Sequence, residues 1–129
     1  MSEKKRILVV DDEVIITRTL KVFLEGTGTY EVRTENSSTK ALQAARQFMP
    51  DLILLDIVMP DIEGGELAAQ IRDDPNLKGT PIVFLTSLVQ QREVRKSGGE
   101  IGGFPFIAKP IDPKVVLAVI ETHIETHIG

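Results

Sequence analysis

Cysteine and tryptophan are absent from this 129-residue chain, and tyrosine occurs once. Without cysteine there are no disulfides and no thiolate metal sites, which points to a reducing compartment. Basic residues are also short: fifteen Lys and Arg face nineteen Asp and Glu, for a formal charge of −4. That balance offers no basic surface to nucleic acid or to an anionic membrane. Long apolar runs are missing too. "MSEKKR" leads into "ILVV", far too short for a signal-peptide core, and nothing approaches the length of a membrane span. What remains is 42% hydrophobic and 26% charged, the composition of one globular domain with a real core. A cytoplasmic protein is expected.

Five short apolar runs stand out, at 7–10, 30–34, 52–56, 81–86 and 104–108. Segments with helical spacing lie between them. The first, Glu13 to Glu25, places Ile16, Leu20, Phe23 and Leu24 on one face and is expected to cap at Gly26. The second starts at Ser37 or Ser38 and ends near Phe48, before Pro50. The third begins near Gly64, and a fourth follows Thr86. The fifth opens on Asp112-Pro113 and keeps Val116, Leu117, Ile120, Ile124 and Ile128 on one stripe. Strand alternating with helix predicts an α/β fold, a parallel sheet covered on both faces. The alternating "YEVRT" and the proline-bearing "FPFIA" suit edges, so the expected strand order is 2-1-3-4-5, flavodoxin-like and doubly wound.

In such a sheet ligands bind beyond the carboxyl ends of the strands, where the order reverses. The first strand ends at Asp11 and Asp12, the third at Asp56. Two unit charges about 4 Å apart cost roughly 4 kcal/mol at an effective dielectric near 20. A hard divalent cation such as Mg²⁺ offsets that repulsion, since it favours carboxylates, carbonyls and phosphate oxygens. The fourth strand ends at Thr86-Ser87, a hydroxyl, and the fifth at Lys109-Pro110, an ammonium. Acids, hydroxyl and lysine together suit a phosphoryl group. Asp56, central and single, is the candidate nucleophile.

At "VVDDE" (9–13), "LLDIVMPDIEGGEL" (54–67), "LTS" (85–87) and "AKP" (108–110) the chain resembles the receiver domain of two-component response regulators, over essentially its whole length. The resemblance implies that Asp56 accepts phosphate from a phosphohistidine on a sensor histidine kinase or histidine phosphotransfer protein. It implies Mg²⁺ held by Asp12, Asp56 and the Val58 carbonyl, with Asp11 reaching it largely through water. Thr86 and Lys109 would engage the phosphoryl group, Pro110 would follow a cis peptide bond, and Phe106 would turn as Thr86 moves. The fourth helix, fifth strand and fifth helix would carry the change to a partner. The expected product is a single receiver domain over 1–129 with no output domain after it, a signalling switch rather than a turnover enzyme.

Some residues depart from the family pattern. Four glycines in "RKSGGEIGGFPF" (95–106) predict a short or frayed fourth helix. Phe106 lacks the hydroxyl of the commoner tyrosine. Val58 and Leu88 are apolar and would hinder an attacking water. Rival classes are a Mg²⁺-dependent phosphatase or phosphotransferase, which would want an acid at position 58; a flavin-binding module, which would want a phosphate loop in place of "DDE"; and a receiver that only docks. His123 and His127 read as the flank of a terminal helix, not as a metal site.

Overall fold

The computed structural model describes residues 4–57, 64–86 and 104–128. β1 (Lys5–Val10), β2 (Tyr30–Glu35), β3 (Leu52–Asp56), β4 (Ile82–Thr86) and β5 (Phe106–Ala108) form one sheet in the order β2-β1-β3-β4-β5. Every neighbouring pair is parallel. The expected order therefore holds. α1 (Val14–Gly26), α2 (Ser38–Phe48), α3 (Gly64–Asp73) and the C-terminal helix (Pro113–Ile128) cover it.

The period of two along a strand sorts the core into two layers. Leu8 and Val10 of β1, Ile53 and Leu55 of β3, and Ile82 and Phe84 of β4 pack on α2 and α3, against Ala41, Ala45, Leu67 and Ile71. Ile7, Val9, Leu52, Leu54, Val83 and Leu85 point the other way, onto Leu20 and Leu24 of α1 and Val116, Ile120 and Ile124 of the C-terminal helix. Each fully buried aliphatic side chain stabilises the fold by about 1.5–3 kcal/mol. That two-sided burial is why these strands read as continuous apolar runs. Leu117 packs at the margin of the same layer. Ile128, expected on that stripe, and His127 lie outside the described side chains.

Boundaries differ where a local hydrogen bond intervenes. β1 gains Lys5 and Arg6 because Tyr30 and Glu31 offer them ladder partners. β5 starts only at Phe106, since Pro105 has no N–H to give and contributes its carbonyl to Phe84 N instead, at 2.9 Å. Gly26 is not the cap of α1. It sits in the last turn; Thr27 stays right-handed with its hydroxyl donating to the Leu24 carbonyl at 2.7 Å, and the left-handed residue is Gly28 at φ 80°. Ser37 does occupy the cap position of α2, yet its hydroxyl pairs with that of Thr39 at 2.9 Å. At the C-terminal helix Asp112 Oδ1 accepts Lys114 N at 2.9 Å, as a cap should.

The amino-terminal edge of the sheet is held by matched charges. Arg46 Nε lies 2.6 Å from Asp74 Oδ2, and Asp74 Oδ1 accepts Asn76 N at 2.8 Å. The Arg46 hydrogen bond, helped by that backbone N–H, holds the Asp74 carboxyl below the usual carboxylate range. Arg6 lies over the Phe48 ring, 5.6 Å from its centre, and donates to the Phe48 carbonyl at 2.9 Å. Among the described residues no helix is long and apolar enough to cross a membrane.

Candidate functional site

The opposite edge is built differently. Beyond Val10 the ladder runs one step further, with Asp11 N donating to the Glu35 carbonyl at 3.2 Å. Asp11 is fully buried, and its Oδ1 accepts Glu13 N at 2.9 Å, turning the chain into α1 within three residues. So Asp11 does shape the entry to the helix, as an acid in that place can. Asp56, also buried, is the last residue of β3 and pairs with Leu85. Gly64 closes the segment after it: Gly64 N donates to the Ile57 carbonyl at 2.7 Å. A Cβ at Gly64 would collide with the Asp56 carbonyl oxygen and would lie 2.6 Å from Ile57 Cα. Only glycine fits there.

Asp11, Asp12 and Asp56 each bring a carboxylate oxygen into a cluster spanning no more than 4.8 Å. Lys109 reaches in from the end of β5. Its Nζ lies 3.1 Å from Asp11, 3.2 Å from Glu13 and 3.4 Å from Asp56. The Lys109 N–H donates to the Thr86 carbonyl at 2.7 Å, and the peptide bond that follows, to Pro110, is cis. Thr86 is buried at the end of β4, one residue past the partner of Asp56. Phe106 is half-buried against the α2–α3 layer. Val58, Leu88, the glycine-rich stretch and the expected fourth helix lie outside the described residues.

Charge is unbalanced here. Burial pushes the Asp11 carboxyl above its ordinary range, although the Glu13 N–H and the Lys109 ammonium pull the other way. For Lys109 burial favours the neutral amine, but Asp11, Asp56 and Glu13 together more than offset it and hold the ammonium above its ordinary value. Asp11 Oδ2 is buried without a well-aligned hydrogen bond, its ion pair with Lys109 notwithstanding. Among the described residues, the Lys109 ammonium thus pairs with three carboxylates, and Asp12 lies in the same cluster. A set of hard oxygen donors, one of them a buried oxygen engaged only by a shared ammonium, fits a small divalent cation.

Two contributors had little signal in sequence. Glu13 closes "VVDDE", and its shared hold on Lys109 appears only once β5 is set beside α1. Gly64 is one of two adjacent glycines, and nothing local tells the crowded one from Gly65, whose Cβ position is open.

The family model for the response regulator receiver domain matches residues 7–121, a span that contains every candidate residue above. This chain belongs to that family. The receiver domain is 31% identical over 120 residues to the response regulator Rre1 of Synechocystis, covering 93% of this chain and 52% of that protein. It spans between a quarter and about half the length of the curated relatives it matches. A CheY-like response regulator receiver domain protein from Methanospirillum hungatei superposes with a TM-score of 0.78 at 28% identity, covering 97% of each chain. The receiver domain of the sensor histidine kinase PA1611 from Pseudomonas aeruginosa superposes with a TM-score of 0.80 at 25% identity, covering 95% of this chain and 99% of that one. That neighbour holds a magnesium ion in its active-site cleft.

Proposed function

We propose that this receiver domain is a phosphorylation switch in which Asp56 is the acceptor. One observation carries the proposal: three carboxylates and a lysine from three separate segments meet at the strand ends, with more negative charge than the lysine can balance. Mg²⁺, held by Asp12, Asp56 and the Val58 carbonyl with Asp11 behind them, would supply charge neutralisation for phosphoryl oxygens. An Asp56 carboxylate oxygen attacks phosphorus in a phosphohistidine. The new O–P bond forms as the P–N bond breaks, and the imidazole departs with its electron pair and takes up a proton. Lys109 pairs with the transferred group, and the Thr86 hydroxyl donates to it.

The product carries up to about two additional negative charges. Thr86 and Lys109 satisfy them only when drawn inward, which shifts the equilibrium of the segments that follow β4 and β5. Phe106 follows Thr86, and β5 with the C-terminal helix forms the described part of the output face. The only chemistry of the domain itself is its own phosphotransfer and slow hydrolysis.

The donor is a protein. Beside the acids lies a pocket of about 520 Å³ lined by Glu13, Ile15, Ile16, Lys109 and Ile111. Ile15, in its lining, is 79% exposed, and its chain neighbour Val14 is 50% exposed, which leaves apolar surface beside the pocket. A histidine-bearing helix of a kinase or phosphotransfer protein fits that arrangement. Incubation with a small phosphodonor and Mg²⁺, followed by intact mass, tests the acceptor. Wild type should gain one phosphoryl group and Asp56→Asn none; equal labelling of both would overturn the assignment.

A further inference from the structure

We infer that Asn36 is a positioning residue that sets the aim of the Asp12 carboxylate, an inference that rests on the Mg²⁺ reading of the crevice. Asn36 is the first residue after β2 and belongs to neither segment that carries Asp11, Asp12 or Asp56. Its Nδ2 donates both hydrogens. One goes to the Asp11 carbonyl at 2.8 Å, the other to the Thr17 hydroxyl at 3.0 Å. Thr17 is buried in α1 and passes its own hydrogen to the Val14 carbonyl at 3.1 Å. A single amide thus ties the end of β1 to the first turns of α1.

The consequence lies in the peptide between Asp11 and Asp12. Its oxygen is held by Asn36, and the N–H on the far side of Asp11 is held by the Glu35 carbonyl at 3.2 Å. With Glu13 N fixed on Asp11 Oδ1, the turn is held at Asp11 on both sides and again at Glu13. Peptide planarity then leaves Asp12 Cα little freedom, although Asp12 itself is exposed. An exposed carboxylate otherwise samples several rotamers, so a ligand aimed in advance loses less freedom on binding a cation. Buried Asp11 and Asp56 are confined by packing; Asp12 depends on its backbone.

The test compares Mg²⁺ affinity, by calorimetry on the unphosphorylated full chain, with thermal stability. Asn36→Ala should weaken Mg²⁺ binding about tenfold, the scale seen when groups supporting metal ligands are removed. Asn36→Leu fills the amide's volume without its donors and should weaken binding equally, so a poorly folding alanine variant does not end the test. Arg46→Ala, which breaks the remote pair with Asp74, should lower Tm and leave Mg²⁺ affinity unchanged. Either Asn36 variant, when folded, binding Mg²⁺ within twofold of wild type would reduce Asn36 to a structural tie and overturn the inference. A blank isotherm for wild type is a different result: it would overturn the metal reading and the inference with it.

Discussion

The two edges of one sheet treat buried acid in opposite ways. At the amino-terminal edge Asp74 meets one guanidinium and one backbone N–H, and its carboxyl is pulled below the ordinary range. At the carboxyl edge Asp11 has a lysine at 3.1 Å, yet burial pushes its carboxyl up. The difference is first one of burial, which outweighs the pull of the lysine at Asp11 and is outweighed by the guanidinium at Asp74; the lysine is also divided, serving Asp11, Glu13 and Asp56 at once. A matched pair belongs to the scaffold. An unmatched cluster costs the fold stability and marks where something from outside is received.

The largest expected effect breaks the carboxyl edge alone. Gly64→Ala forces a methyl into backbone that has nowhere to go, so chemical denaturation should show a loss of about 3 kcal/mol, the upper end for overpacking. Asp56 would also shift. No such loss is expected at Gly65, where the space is open.

A smaller effect sharpens the contrast through pH. Asp74 has a depressed folded-state pKa, so its contribution is present above the unfolded value and disappears as pH falls through the folded one. Asp11 has a raised folded-state pKa, so its charge penalises the fold above that pKa and the penalty is relieved in acid. The Tm of Asp74→Asn relative to wild type should therefore fall as pH rises from about 3 to 7. That of Asp11→Asn relative to wild type should climb over the same window. Parallel trends would mean the two edges do not differ as described.

Smallest in stability is Ile15→Asp, within about 0.5 kcal/mol because the side chain is exposed. Phosphotransfer from a protein donor should nevertheless slow severalfold, while labelling by a small phosphodonor stays at the wild-type rate. Equal slowing with both donors would place the defect in the crevice and not at its apolar rim.

Much of the carboxyl edge was legible in sequence because its logic is local. An apolar run such as "LILLD" is buried on both faces, so an acid at its end must lie at the rim of the sheet, and the strand order brings the rims of β1 and β3 together. Lys109 and Thr86 follow from the same rule. What escaped depends on contacts distant in sequence or on competing local bonds. Asn36 bridges 25 residues to the Asp11 carbonyl, and an asparagine after a strand carries no pattern that announces it. The cap of α1 was misplaced at Gly26 because the Thr27 hydroxyl takes up the Leu24 carbonyl first and defers the left-handed turn to Gly28. Asp74 gave no sign of its partner, since Arg46 reaches it across two helices.

The most direct measurement is thermal unfolding with and without Mg²⁺. At about one hundred times its dissociation constant a ligand stabilises the native state by about 2.7 kcal/mol, so wild type and Asp74→Asn should both rise in Tm by roughly 10 °C for a chain of this size. Asp12→Asn should lose most of that rise. A wild-type Tm indifferent to Mg²⁺, or a rise of equal size in Asp12→Asn, would contradict the account.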